Sequence, residues 1–282
     1  WKLQYKDKIK RFNSSIHTVF GTAIHEVMQH YLDIMYEKSA AAADREIDIE
    51  EYFQDKFISE YQSQYKSNNS EHFSSAEEMR EFFEDGIAIL EWFKKKRSRY
   101  FSKKGTYLVG CEIPIVIAPN KMLNNVLYMG YLDVVTYHEE TETFKIIDIK
   151  TSTKGWNSYA KKDENKHFQL ILYKQYFSEQ YGIPLDKIEI EFFIVKRKVL
   201  DIDDDNIMSP YQAHRVQTFV PPSGKIKLNR AKSAVNSFIT ECFSSSGKIK
   251  EIDYPKSPSK WNCTFCPYGE DKELCGAGVH FE

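Results

Sequence analysis

Asp148 and Lys150 stand two residues apart at the end of an apolar run, Phe144-Lys145-Ile146-Ile147-Asp148-Ile149-Lys150-Thr151-Ser152. Branched apolar residues at that density predict a β-strand, and strand side chains alternate between faces. The acid and the base therefore share one face, while Ile147 and Ile149 share the other. Charges at such a position are costly unless paired or bound to something. Taken alone, the pair is also consistent with an ordinary ion pair where a strand ends.

A second acid sharpens the chemistry. Residues 125–137 predict another strand, joined to 144–152 through the polar segment 138–143. Centring the turn between Glu140 and Thr141 sets Asp133 opposite Asp148, a register that one residue of slip would spoil. Facing carboxylates with Cβ atoms about 4.5–5.5 Å apart repel each other. A divalent cation turns that repulsion into binding, and hard oxygen donors suit Mg²⁺ or Mn²⁺. Lys150, on the same face, can orient a water or offset charge on a phosphate. Glu112 lies in the preceding strand segment, 106–118, and a turn near Met122 brings it close to Asp133; it either extends the acidic site or faces solvent. His25 is a candidate nitrogen donor. The run from His25 to His30 is not the helical zinc motif H-E-x-x-H, because five residues turn a helix by about 140°.

These residues need a scaffold. Residues 20–36 place Ile24, Val27, Met28, Tyr31, Leu32 and Met35 at helical spacing, with His25 at the edge of the stripe. Strands are predicted over 106–118, 125–137, 144–152 and 186–200, with helices over 165–182 and 225–243. The order helix, three strands, helix, strand predicts a mixed α/β domain. Residues 1–36 and 105–250 form its core, 37–104 read as a helical insertion, and 251–282 as a cysteine-bearing tail packing on that core. The run from Phe93 to Lys104 carries seven basic residues and no acid. Lys94, Lys95, Lys96, Arg97 and Arg99 are thus candidate phosphate contacts, with Tyr100 and Phe101 as stacking rings. Lys196 and Arg197 add positive charge near the expected site. Either run also reads as a solvated face.

The ordered set resembles the PD-(D/E)XK nuclease superfamily, and within it the RecB-like exonuclease branch, similar to phage and mitochondrial exonucleases and CRISPR-associated adaptation nucleases. The matching residues are Gly21 and His25, then Gly130 and Asp133, then Asp148, Lys150 and Thr151, then Gln169 and Tyr173. The resemblance implies a restriction-endonuclease-like core with a mixed central sheet flanked by helices. It implies that His25, Asp133, Asp148 and the backbone carbonyl of Ile149 hold Mg²⁺ or Mn²⁺, and that Lys150 orients the attacking water. Gln169, Tyr173 and Thr151 would touch substrate; Gln169 and Tyr173 equally read as a buried polar pair holding a helix on the sheet. The implied activity is DNA hydrolysis, as an exonuclease on single strands or duplex ends in replication, recombination or repair. A structure-specific or nonspecific endonuclease, and an inactive DNA-binding or assembly factor, are the alternatives. A helicase or recombination protein is the partner implied by analogy.

Cys263, Cys266 and Cys275 cluster near the end of a chain with five cysteines, an odd count that favours metal binding over a disulfide framework. The resemblance implies a [4Fe–4S] cluster whose fourth cysteine would precede Trp1 and so be missing from this sequence. The rival is Zn²⁺ held with His280, and the plain alternative is free thiols. Cys111 and Cys242 read as core thiols. Hydrophobic residues at 41% and charged residues at 28% suit a folded enzyme, and a net charge of −2 leaves any polyanion affinity to a local patch. No membrane span or signal peptide is read, and the setting expected is the cytoplasm of a bacterial or phage-infected cell. Oligomeric state is not legible.

Overall fold

The computed structural model describes the chain except residues 10, 12, 13, 102, 200–213, 265, 270 and 276–282, and the side chain of 261. Its centre is a five-stranded sheet in the order β1-β2-β3-β4-β5, comprising β1 (Thr106–Ile117), β2 (Tyr128–His138), β3 (Thr143–Ser152), β4 (Ile188–Lys196) and β5 (Val216–Phe219). β1, β2 and β3 run as an antiparallel meander. β3 and β4 are parallel, so the chain must cross over between them, and a helix makes that crossing. β5 returns antiparallel to β4. The sheet is mixed, as expected.

The register of β2 on β3 follows from the apolar alternation and the short turn. Val134 pairs with Ile147 and Val135 with Ile146; one further step sets Asp133 against Asp148. Ile147 and Ile149 face one apolar core and Ile146 the other. The strand alternates as the sequence predicts.

Helices cover both faces. On one lie α1 (Ile16–Glu37), α2 (Ala40–Glu46), α3 (Ile49–Ser67), α4 (Ala76–Lys96) and the single turn α5 (Ser98–Phe101). Ser15, Ser39, Asp48 and Ser75 each accept a backbone N–H at the start of one of these helices, which satisfies donors the helix itself cannot. α1 buries Val19, Phe20, Ala23, Ile24, Val27, Met28, Tyr31 and Leu32 against Phe53, Phe82, Phe93 and the sheet. The helices between residues 40 and 101 therefore share one core with α1. Phe101 is part of it, 1% exposed and packed on Phe93 and Phe193. That corrects its expected role as a stacking ring for bases.

On the opposite face lie α7 (Glu164–Tyr181) and α8 (Lys225–Cys242), preceded by the short α6 (Ser158–Lys162). Asp163 caps α7, and Gly182 ends it in the left-handed region at φ +69, where glycine pays no side-chain penalty. α9 (Lys260–Thr264) lies in the tail. No helix of the described residues is long and apolar enough to cross a membrane.

The meander turns over at one place. Cys111 and its partner Val134 pack with the α1 core, whereas Ile113 and its partner Leu132 pack with the α7 core. Residues two apart in a strand ordinarily share a face. Between them stand Glu112, at φ +51, and Asp133. A left-handed conformation at a non-glycine residue costs about 1–3 kcal/mol and persists only where its surroundings impose it.

Candidate active site

Asp133 and Asp148 come together from β2 and β3 at this turnover. Asp148 is 1% exposed. Its Oδ2 forms an ion pair with Lys150 Nζ at 2.8 Å without an aligned hydrogen bond, and its Oδ1 is buried with no donor at all. Asp133 Oδ2 accepts the backbone N–H of Ile149 at 2.7 Å and lies 3.6 Å from His25 Nδ1. Burial raises both carboxyls above the usual range. For Asp148 the nearby Lys150 ammonium opposes the rise and Asp133 adds to it. For Asp133 the Ile149 N–H and Lys150 oppose it. Two acids that resist ionisation side by side form a site that gains from an added positive charge.

His25 reaches the centre from α1. Burial lowers its pKa, Lys150 lowers it further, and Asp148, Glu112 and the Ile149 backbone hydrogen bond oppose the shift. Burial thus favours the neutral ring, the form in which imidazole binds metal. One turn further along α1 is Gln29, 6% exposed. Its Nε2 donates to Glu112 Oε1 at 2.6 Å and to the Asp133 carbonyl at 3.0 Å. Gln29 thus ties α1 to β1 and β2 at the turnover. Sequence reasoning missed it; its helical spacing from His25 was the available signal, two positions on one face four residues apart.

From the other side comes α7. Lys150 Nζ donates to Gln169 Oε1 at 3.2 Å, and Gln169 Nε2 donates to the Tyr173 hydroxyl at 3.1 Å. Gln169 is exposed and Tyr173 buried. A methyl group on Gly130 would lie 2.7 Å from Tyr173 Cε1, so only glycine lets β2 pass that ring. Gly21 on α1 faces Thr151 Oγ1. Thr151 also lines a small cavity of about 50 Å³ with His17, Phe20, Ser152, Thr153 and Arg197.

The donor set of two carboxylates, an imidazole and a nearby backbone carbonyl matches a hard divalent cation, and the orphaned Asp148 Oδ1 is an acceptor awaiting a partner. Among the described residues no three His, Cys, Asp or Glu side chains are already arranged as a metal cage. Mg²⁺ sites commonly use one or two carboxylates and complete the shell with water and phosphate, so the residues fit the ion without a preformed cage. The same absence bears on the tail. Cys263, Cys266 and Cys275 are half-buried and free, not gathered into a cluster or zinc site, and His280 lies outside the described residues. The tail does meet the start of the chain: Arg11 pairs with Asp271 and Tyr268 donates to the Ile9 carbonyl.

The expected basic surface is partly engaged. Lys94 and Arg97 both reach Asp44, at 3.7 and 2.8 Å. Lys95 pairs with Glu91. Arg99 lies over the Tyr100 ring, and Lys96 is exposed. Arg197 bonds Glu81 and Asp85, and Lys196 is 1% exposed.

Comparison with curated protein sequences returns no match. A model of the PD-(D/E)XK nuclease superfamily matches residues 1–275, nearly the whole chain. The mixed sheet with helices on both faces is that superfamily's α/β, restriction-endonuclease-like fold. By that match the chain belongs to the PD-(D/E)XK nuclease superfamily, whose members are in general metal-dependent nucleases using Mg²⁺ or Mn²⁺.

Proposed function

We propose that the protein is a metal-dependent deoxyribonuclease of the RecB-like type, acting as an exonuclease on single strands or duplex ends. The observation that carries the reading is Asp148: a buried carboxylate with one oxygen lacking any donor, beside Asp133, His25 and Lys150. Asp133, Asp148, His25 and the Ile149 carbonyl would hold Mg²⁺ or Mn²⁺. When bound, that ion supplies Lewis acidity and a water of lowered pKa. The Ile149 N–H fixes the Asp133 carboxylate through Oδ2, so it is held in place without reorganisation. Lys150, held between Asp148 Oδ2 and Gln169 Oε1, presents ammonium protons to the attacking water and to the non-bridging oxygens of the scissile phosphate. Tyr173 braces Gln169 from below.

The test is cleavage of end-labelled DNA with and without Mn²⁺. Wild-type protein is expected to cut only with the ion, and Lys150→Ala to lose about 10²–10³-fold in rate, a loss typical of removing a central electrostatic group, while it still unfolds in a cooperative thermal transition. Unchanged cleavage by that variant would refute the assignment. Covalently closed single-stranded circles separate the two nuclease modes, since an exonuclease leaves them intact.

A further inference from the structure

The connection from β3 to α7 is absorbed by nothing described so far. It leaves the sheet just past Lys150 and returns through Gln169, which bonds Lys150. It therefore lies outside the carboxyl ends of the parallel strands β3 and β4, where ligands of α/β sheets bind. Between positions 150 and 166 the sequence holds five lysines and two acids. Both acids are already used. Asp163 caps α7, and Glu164 is bonded by Lys227 and Arg230 of α8. Lys154, Lys162 and Lys166 are exposed. Among them stands Tyr159, 83% exposed, a ring that gains nothing from solvent.

The mount is rigid. Gln217 of β5 accepts the Trp156 N–H at 2.7 Å and donates to the Trp156 carbonyl at 3.0 Å. The Trp156 ring rests on Phe192, and Lys166 Nζ lies 5.3 Å above it. The Gly155 N–H donates to Ser152 Oγ, and Asn157 caps α6. Cations around an exposed aromatic ring on a fixed backbone match what a single-stranded nucleic acid requires. Lysines track its phosphates, and the ring stacks an unpaired base, a surface that duplex DNA does not offer. The basic run expected from sequence lies on the α4–α5 side of the sheet and is partly answered by Asp44, which pairs with Lys94 and Arg97, and its Phe101 ring is buried rather than exposed for stacking.

Building on the nuclease reading, we propose that residues 153–166 are the binding surface for the single strand that feeds the Asp148–Lys150 centre. Lys154, Lys162 and Lys166 contact its phosphates, and Tyr159 stacks one of its bases.

The experiment is fluorescence anisotropy in EDTA, where no cleavage occurs, with a labelled thymidine oligomer about 12 nucleotides long. An abasic oligomer and a duplex of the same length serve as comparisons. Wild type is expected to bind the thymidine oligomer most tightly. Tyr159→Ala weakens that binding about tenfold and erases the advantage over the abasic strand. The double substitution Lys154→Gln with Lys162→Gln lowers the slope of log affinity against log salt by about 1.4, at ~0.7 per phosphate contact on a single strand. Wild-type affinity and slope in both variants, or a duplex bound as tightly as the single strand, overturns the proposal. Absence of binding by the wild type does so too. Cleavage of the oligomer by wild type in Mn²⁺ is scored separately. Cleavage with binding unaltered in the variants sinks the surface alone, and binding that depends on Tyr159 without cleavage sinks the nuclease reading alone.

Discussion

Asp148 shows most clearly what a single residue contributes here. Its carboxylate is buried, its pKa is raised, and one oxygen has no donor. An arrangement that disfavours its own charge is poorly explained as a stabilising ion pair, because Lys150 does not fully offset the lost solvation. Asp148→Asn should therefore stabilise the metal-free protein by about 1–3 kcal/mol, the cost of leaving a buried polar group unsatisfied, and should abolish the rise in melting temperature that Mn²⁺ gives wild type. Thermal melts in EDTA and in Mn²⁺ check both; destabilisation in EDTA would mean that the Lys150 pair dominates. Gln29 acts in the opposite sense. Its amide satisfies Glu112 and the Asp133 carbonyl together, so Gln29→Ala should lose about 1–3 kcal/mol of stability in urea unfolding. A loss near zero would mean that Glu112 keeps its left-handed backbone unaided. Asp133, Asp148 and Lys150 were legible in the sequence because strand alternation puts charges on a predictable face. Gln29 was not, because its helical spacing from His25 is a weak signal: an uncharged residue in an amphipathic helix gains a role only once its partners are placed.

Elements decide which of these residues meet. The β2–β3 register was legible because the turn is short and the apolar alternation admits one phase. The turnover of the meander at Glu112 was not: nothing in a glutamate announces φ +51, and the conformation follows from packing two cores against one hairpin. The parallel pairing of β3 and β4 fits the mixed sheet that the strand–helix–strand order predicts, whereas the place of β5 beside β4 was hidden, since sequence order does not say which strands become neighbours. The crossing helix α7 carries Gln169 to Lys150, and its start is moored to α8 by Glu164 through Lys227 and Arg230. Those two cations depress the Glu164 carboxyl to about 2 from an ordinary value of 4.5. Between those values the unfolded chain binds the proton and the folded one does not. The contribution to stability is therefore complete above 4.5 and is lost as pH falls toward 2. The melting temperatures of wild type and Glu164→Gln should differ at pH 6 and converge on acidification. A gap that widens on acidification would contradict this ion-pair mooring.

At the scale of the whole molecule, two helical layers clamp one mixed sheet, and the acidic centre sits where the meander changes faces. His25 arrives from one layer and Gln169 from the other, so the ordered series from Gly21 to Tyr173 reads as successive visits of the chain to one acidic centre. That order was legible because each visit leaves one polar residue in an apolar element. The basic runs are partly answered inside the fold, which a charge count does not show: Asp44 answers Lys94 and Arg97, and Glu81 and Asp85 answer Arg197, while Lys96 and Arg99 stay exposed. The central claim concerns a cation held among His25, Asp133, Asp148 and the Ile149 carbonyl. Anomalous diffraction from a crystal of the protein soaked in Mn²⁺ addresses it most directly. The account predicts a strong peak about 2.0–2.3 Å from the Asp133 and Asp148 carboxylates, absent in Asp148→Asn; a saturating soak with no peak between those two acids, or one bound elsewhere, would contradict it.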